Sequence, residues 1–459
     1  MFRRKAFTAQ ALLLILAMAL SACGTEAPTA TPIASAPTST TGAVTTEATA
    51  TTGAVTTEAT ATSGSTADDS LSGTVKFWTA YNTVSPEMDT LNNTIIPAFK
   101  EMHPNVTVEA QALPYDDLRQ KLLTSIAGGE APDLVRADII WVPEFAELGA
   151  LAALDTEMAD FDMLKEQVYD GPLQTNFYKG HYYGLPLDTN TRIMFYSDAL
   201  LAEAGVSGAP KTFDEFKALC DKVKALGKAE TYCYAEGGTG AWSILPWIWS
   251  NGGDITDAEY TKATGYLNGA ATVGAVTMLR DMLKDGTLSP GILGGGIATS
   301  DAIGKGQTAS ILDGPWMPSI FEKQYPDLKL TTAPMPAGAG GSASVVGGED
   351  IVLMQSSQNK EAAIAFMKHM LSEESQIALG KVGQMPVLKS LNGNSELPSY
   401  YGVFQTQLLT AKARTPSPNW QKIDDAINTA ALSVMLGEKE PQAALDEAAA
   451  KVDALLADQ

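Results

Sequence analysis

Three tryptophans, Trp242, Trp247 and Trp249, fall within the stretch WSILPWIWSNGGD. An indole plane can fill a core, or it can lie open as a flat apolar surface for a flat apolar ligand. Further aromatic and hydrogen-bonding pairs stand where strands are predicted to end. Trp78 and Tyr81 close the first strand, Asp138 and Trp141 follow the third, and Asp188 and Asn190 sit at the expected crossover. In open α/β sheets, ligands collect beyond the carboxyl ends of strands, where loops converge. The residue types suit recognition better than bond-making. No GxSxG, HExxH, P-loop or kinase signature occurs. The three histidines, His103, His181 and His369, form no metal or triad spacing, so no metal and no cofactor is expected.

The elements that must position these residues are legible in outline. TVKFWTAY (74–81) alternates as a strand, and 88–104 carries helical periodicity up to Pro104. NVTVEAQALP is a second strand, YDDLRQKLLTSIAGG a helix closed by Gly128-Gly129, PDLVRAD a third strand and WVPEFAELGAL helical. Strands alternating with helices predict an α/β lobe with a largely parallel sheet. Further on, YYGLPL and RIMFYS read as strands, and TFDEFKALCDKVKALG as a helix capped by Thr212 with Glu215 completing a capping box. SASVVGGEDIVLM (342–354) is another strand passage, 356–380 one long helix, and the C-terminal stretch Ala-rich amphipathic helix.

A chain of 459 residues exceeds one typical core, so two lobes are expected. The formal net charge of −22 disfavours nucleic acid, since nothing would neutralise phosphates, and makes a neutral or cationic ligand the better fit. Residues 1–22 read as a signal peptide. Arg3, Arg4 and Lys5 precede an apolar run from Ala11 to Leu20, and Leu20-Ser21-Ala22-Cys23 is similar to a bacterial lipobox, with Cys23 the lipidated residue. Residues 23–72 then form a tether. TGAVTTEATAT at 41–51 is repeated letter for letter at 52–62, and the composition offers no large apolar side chains to offset ordering. Export implies an oxidising setting, in which Cys220 and Cys233 either pair or stay as two buried thiols.

The order of segments across 74–459 resembles the family 1 extracellular solute-binding proteins, the sugar-binding components of ABC importers, and most of all the maltose/maltodextrin-binding type. The residues that carry the resemblance are PDLVRADIIWVPEFAELGAL (132–151), YYGLPLDTNTRIMFYSDALLAEAG (182–205), LPWIWSNGGD (245–254), ILDGPWMPSI (311–320), PMPAG (334–338), VVGGEDIVL (345–353) and the following NKEAAIAFMKHMLSEESQ. It implies a two-lobed α/β fold of the periplasmic-binding-protein type II, with ligand in the cleft between lobes. One lobe would comprise 73–188 plus about 349–386, the other 189–348 plus about 387–459. The chain would cross near 187–191, 345–350 and 385–388.

The resemblance also implies a ligand and its contacts. A pyranose has an apolar C–H face that aromatic rings cover, and a rim of hydroxyls that donate to carboxylates and amides. Trp242 takes the place of the family's stacking aromatic, while Trp247 and Trp249 read as core. Trp316 in DGPW matches a second aromatic, and Trp420 corresponds loosely to a C-terminal one. Asp138, Trp141, Asp188 and Asn190 would supply contacts, with Arg136 and Glu144 as alternatives within a shift of register. Glu349 and Asp350 follow the glycine pair at the second crossing. The expected function is an extracytoplasmic binding component for a neutral oligosaccharide, maltodextrin foremost. It would be held to the membrane by its lipid alone, monomeric, and partnered by ABC permease subunits. The competing readings are the same fold binding a polyamine or peptide, a secreted glycan-active enzyme with two flanking carboxylates, and a surface adhesin.

Overall fold

The computed structural model describes residues 70–81 and 85–458. The signal peptide, Cys23 and nearly all of the tether lie outside the described residues. The described strands are β1 (Gly73–Thr79), β2 (Val106–Ala112), β3 (Leu134–Asp138), β4 (Phe177–Tyr178), β5 (His181–Tyr182), β6 (Gly184–Thr191), β7 (Ile193–Ser197), β8 (Tyr232–Ala235), β9 (Thr308–Asp313), β10 (Leu330–Ala333), β11 (Ser344–Leu353) and β12 (Ala411–Lys412).

Two lobes follow from two sheets. The first runs β12-β11-β3-β1-β2, with β6 also paired to β11. Its strands alternate between two buried faces, as a period of two requires. Val75, Phe77, Leu134, Ile351 and Leu353 enter one core. Trp78, Val135, Ala137 and Val352 enter the other. The sheet is less parallel than predicted. Strands β1, β2 and β3 are parallel, but β11 runs antiparallel to both β3 and β6. The second sheet, β10-β7-β9-β8, is antiparallel except for β8 with β9. Ile193 and Phe195 of β7 face one core, Met194 and Tyr196 the other.

Three helices of the second lobe support the aromatic side chains: α1 (Phe213–Ala225), α2 (Ala241–Ser250) and α3 (Trp420–Met435). Half of the expected capping box at α1 forms, and its reciprocal bond falls one residue before the cap. Thr212 Oγ1 accepts from the Glu215 amide at 3.2 Å, and the Glu215 carboxylate accepts from the Lys211 amide at 2.6 Å. The helix expected over 356–380 is broken. It becomes Lys360–Met370 and Glu373–Gly380, because Ser372 takes an extended ψ of 153° and its hydroxyl caps a new helix by accepting from the Ser375 amide.

Trp247 is fully buried, with Phe213, Phe216 and Tyr234 rings centred 5.2–5.5 Å from its own. Cys220 and Cys233 sit in the same core, joined by a disulfide between α1 and β8. Trp247→Ala is expected to lower unfolding stability by about 3–5 kcal/mol, measured as a shift of the urea midpoint with sugar absent.

Candidate ligand-binding site

Three stretches of chain meet side by side between the sheets. β6 continues into β7 across Arg192, β11 pairs along β6, and Met385 bridges to Thr189, its carbonyl accepting the Thr189 amide at 3.1 Å. The approach is close enough to demand glycine. A Cβ on Gly347 would lie 2.2 Å from Asn190 Oδ1 and 2.8 Å from the Trp242 ring. Gly348 has φ +142°, and its Cβ would lie 2.5 Å from the Asp188 carbonyl.

Beneath this crossing Arg136 is buried. Its Nη2 donates to Asp188 Oδ2 at 3.0 Å and to Gln384 Oε1 at 2.8 Å, and lies 2.7 Å from Glu349 Oε2. The Tyr81 ring is 4.4 Å from its guanidinium carbon. Gln384 in turn donates to Glu87 at 2.7 Å. Burial works against the Arg136 charge, but Asp188 and Glu349 outweigh it and hold the pKa above the ordinary value. One guanidinium serves two carboxylates, and burial pushes Glu349 well above the usual carboxylate range despite Arg136.

The aromatic part lies at the start of α2. Pro246, inside that helix, has no N–H to offer the carbonyl four residues earlier, which is that of Trp242. Arg192 Nη1 donates to it instead, at 2.8 Å. The other end of Arg192 donates to Glu236 at 2.9 and 3.0 Å and to the Leu312 carbonyl. Trp242 is thus fixed through its backbone while its ring is only partly buried. Trp316 stacks beside it, with ring centres 6.5 Å apart and planes 25° from parallel. That spacing leaves no room for a sugar between the rings, so a sugar would meet the stacked pair from outside it. A cavity of about 370 Å³ adjoins it, lined by Arg192, Glu236, Trp242, Ile297, Thr299 and Asp313. Its size is in the range of small-molecule sites. A larger hollow of about 800 Å³ is lined by Asp254, Asp257, Tyr260 and Lys412. Carboxylates lining both hollows already accept from protein donors: Asp254 from Trp249 Nε1 and Lys412, Asp257 from Thr261 and Lys262, Glu236 from Arg192, Tyr234 and Ser243, and Asp313 from Thr299 and the Gly314 amide.

The structure brings Tyr81, Asp138, Asp188, Asn190, Trp242, Trp316 and Glu349 around the crossing. Tyr81 Oη, Asp188 Oδ1 and Asn190 Oδ1 are buried with no hydrogen-bond partner among the described residues. Four expected residues stand elsewhere. Trp78 is buried in the first lobe, with Lys121 Nζ 4.1 Å over its ring. Trp141 is core, against Tyr115 and Phe145. Trp420 is buried in the second lobe among the side chains of α3. Asp350 is buried within the first lobe, its carboxylate accepting from Asn176 at 2.7 Å and from Thr175 at 3.1 Å. Trp247 and Trp249 are core, as expected. Sequence reasoning missed Arg192, Glu236, Asp313 and Arg414. Asp313 lies one residue before the GPW of Trp316, and Arg414 six residues before Trp420. Both stand close to aromatic motifs, and that proximity was the one local signal that could have found them.

Residues 82–377 match the sequence profile of the bacterial extracellular solute-binding proteins. The chain belongs to that family. An arabinooligosaccharide-binding protein of Bacillus subtilis is 27% identical over 416 residues, 82% of this chain and 87% of that one. The GacH receptor of Streptomyces glaucescens, solved unliganded and with acarbose, superimposes with a TM-score of 0.75 at 25% identity, covering 84% of this chain and 99% of its own. A solute-binding protein of Thermotoga lettingae bound with α-D-tagatose gives 0.76 at 27%, over 84% and 100%. In this solute-binding protein, as in those solved relatives, the fold is the two-lobed one.

Burial raises the Asp350 pKa well above the usual range, against the lowering effect of its Asn176 and Thr175 hydrogen bonds. The folded state therefore holds that proton more tightly than the unfolded state. Its contribution to stability is present below the ordinary carboxylate pKa and is lost as pH rises through the higher folded one. Asp350→Asn should flatten the fall in unfolding free energy between about pH 4 and neutrality, read from urea titrations at several pH values. An unchanged slope would exclude Asp350 as a source.

Proposed function

We propose that the chain is the extracytoplasmic binding component of an ABC importer and that it takes a neutral oligosaccharide, maltodextrin foremost. The observation that carries this is the partly buried, stacked Trp242–Trp316 pair near the Glu236 and Asp313 carboxylates. Indole faces cover the C–H side of a pyranose, and carboxylates accept from its hydroxyls. The three relatives are described with an arabinooligosaccharide, acarbose and tagatose, all carbohydrates. The cations at the site are each matched by acids, Arg136 by Asp188 and Glu349, Arg192 by Glu236 and Arg414 by Asp138. A neutral ligand leaves that balance undisturbed. The chain would cross between lobes at 187–191, 345–350 and 385–388. Sugar touching both sides favours the closed state by its differential contacts, and closure is what a permease would detect.

On this reading the ligand is held, not transformed. Incubation with maltotriose should release no shorter sugar. The protein acts as a monomer outside the cytoplasmic membrane, anchored through a lipid on Cys23.

Tryptophan fluorescence titrated with glucose, maltose, maltotriose, cellobiose, xylobiose and spermidine tests the ligand class. A saturable change with an oligosaccharide supports it, and a response to spermidine alone ends it. Trp242→Ala and Trp316→Ala should each weaken that binding by roughly 1–3 kcal/mol, about 5- to 150-fold in Kd. Unaltered affinity in both variants would rule out the stacking platform. Cys23→Ser should move the protein from the membrane fraction to the soluble fraction. Retention with membrane lipid would exclude the anchor.

A further inference from the structure

Arg414 lies between β12 and α3 and is 8% exposed. Its guanidinium carbon is 5.4 Å from the centre of the Trp242 ring. Its Nη2 donates to Asp138 Oδ1 at 3.2 Å. These two partners belong to different lobes. Asp138 ends β3, whereas Arg414 follows β12, which pairs only with the Ser344–Val345 end of β11, and leads into α3, whose Trp420, Ile423 and Ile427, like Val345, are in the second-lobe core with α2. The carboxylate is held in place from its own side: Oδ1 also accepts from the Ile140 amide at 3.0 Å, and Oδ2 accepts from Tyr115 Oη at 2.9 Å. The nearby Asp424 carboxylate is tied to the Ala241 amide at 2.6 Å, at the start of the helix that carries Trp242. Arg414 Nε is buried with no partner among the described residues.

We propose that Arg414 is a positioning residue that latches the two lobes together and couples that latch to the Trp242 ring. A guanidinium can do both at once, because its edge donates to a carboxylate while its plane and charge lie against an aromatic ring. An ion pair removed from water keeps most of its strength at physiological salt. The pair therefore favours the closed arrangement before any ligand arrives. A ligand that settles on Trp242 also meets the group that ties the platform to the opposite lobe. This second consequence rests on Trp242 being the ligand platform; the latch itself does not.

The test is done on the full chain without sugar, by small-angle scattering and by iodide quenching of tryptophan emission, on Arg414→Gln, Asp138→Ala and the double variant. Circular dichroism checks that each is folded. The expected result is a larger radius of gyration and stronger quenching in both single variants, with no further change in the double. Should Arg414→Gln be folded yet match the wild type in both measurements, the latch is wrong. Expansion in Asp138→Ala alone would assign the effect to Tyr115 and also overturn it. If Arg414→Gln does not fold, Asp138→Ala and Arg414→Lys, which keeps the charge but not the fork, decide. Expansion in both upholds the latch, and wild-type dimensions in either refute it. Silence of the wild type toward every sugar in the panel would defeat the ligand reading and leave these outcomes standing.

Discussion

The Arg136 guanidinium is taken out of water among Asp188, Glu349 and Gln384, which come from three separate stretches of the chain. Desolvating such an ion costs several kcal/mol, and only well-placed partners offset it. Strands β3, β6 and β11 and the segment around Gln384 are therefore fixed relative to one another by a shared electrostatic requirement. Removing Arg136 would leave two carboxylates buried without compensation. The glycine pair, the Asn190 side chain and the Trp242 ring are packed around that crossing, so the site inherits its geometry from it.

A second dependence starts from a backbone atom. Pro246 takes a hydrogen-bond donor out of α2 and leaves the Trp242 carbonyl to Arg192, whose other nitrogen reaches Glu236 and the Leu312 carbonyl of β9. A missing N–H in a helix thus becomes a link between the helix that bears the platform and the strand that leads to Trp316. The position of the Trp242 indole against Trp316 is set by these backbone and guanidinium contacts.

Much of the fold was legible because it rests on local pattern. The alternation of TVKFWTAY, the Thr212 cap and the Gly128-Gly129 stop each act within a few residues. Antiparallel β11 was not legible, since its direction depends on where the chain returns from. The break at Ser372 was missed because apolar periodicity continues across it while the capping hydroxyl decides the backbone. At the site, Trp242 and Trp316 could be found from composition and neighbouring motifs. Trp78, Trp141 and Trp420 could not be told from them, because ring type says nothing about whether a lysine or a helix covers the face. Arg192 and Arg414 escaped notice for a related reason. An arginine reads as solvated surface until its carboxylate partner, dozens or hundreds of residues away, is placed beside it, as Glu236 is beside Arg192 and Asp138 beside Arg414.

Gly347 and Gly348 leave no space for a side chain against Asn190, Trp242 and the Asp188 carbonyl. Mutation can therefore change little at the floor of the cleft without prising the strands apart. Divergence toward a new ligand has to work from the rim, through side chains such as Ile297, Thr299 and Asp313. A lineage built on this scaffold would alter its diet by trimming and replacing the wall around an inherited platform, while the crossing itself stays frozen.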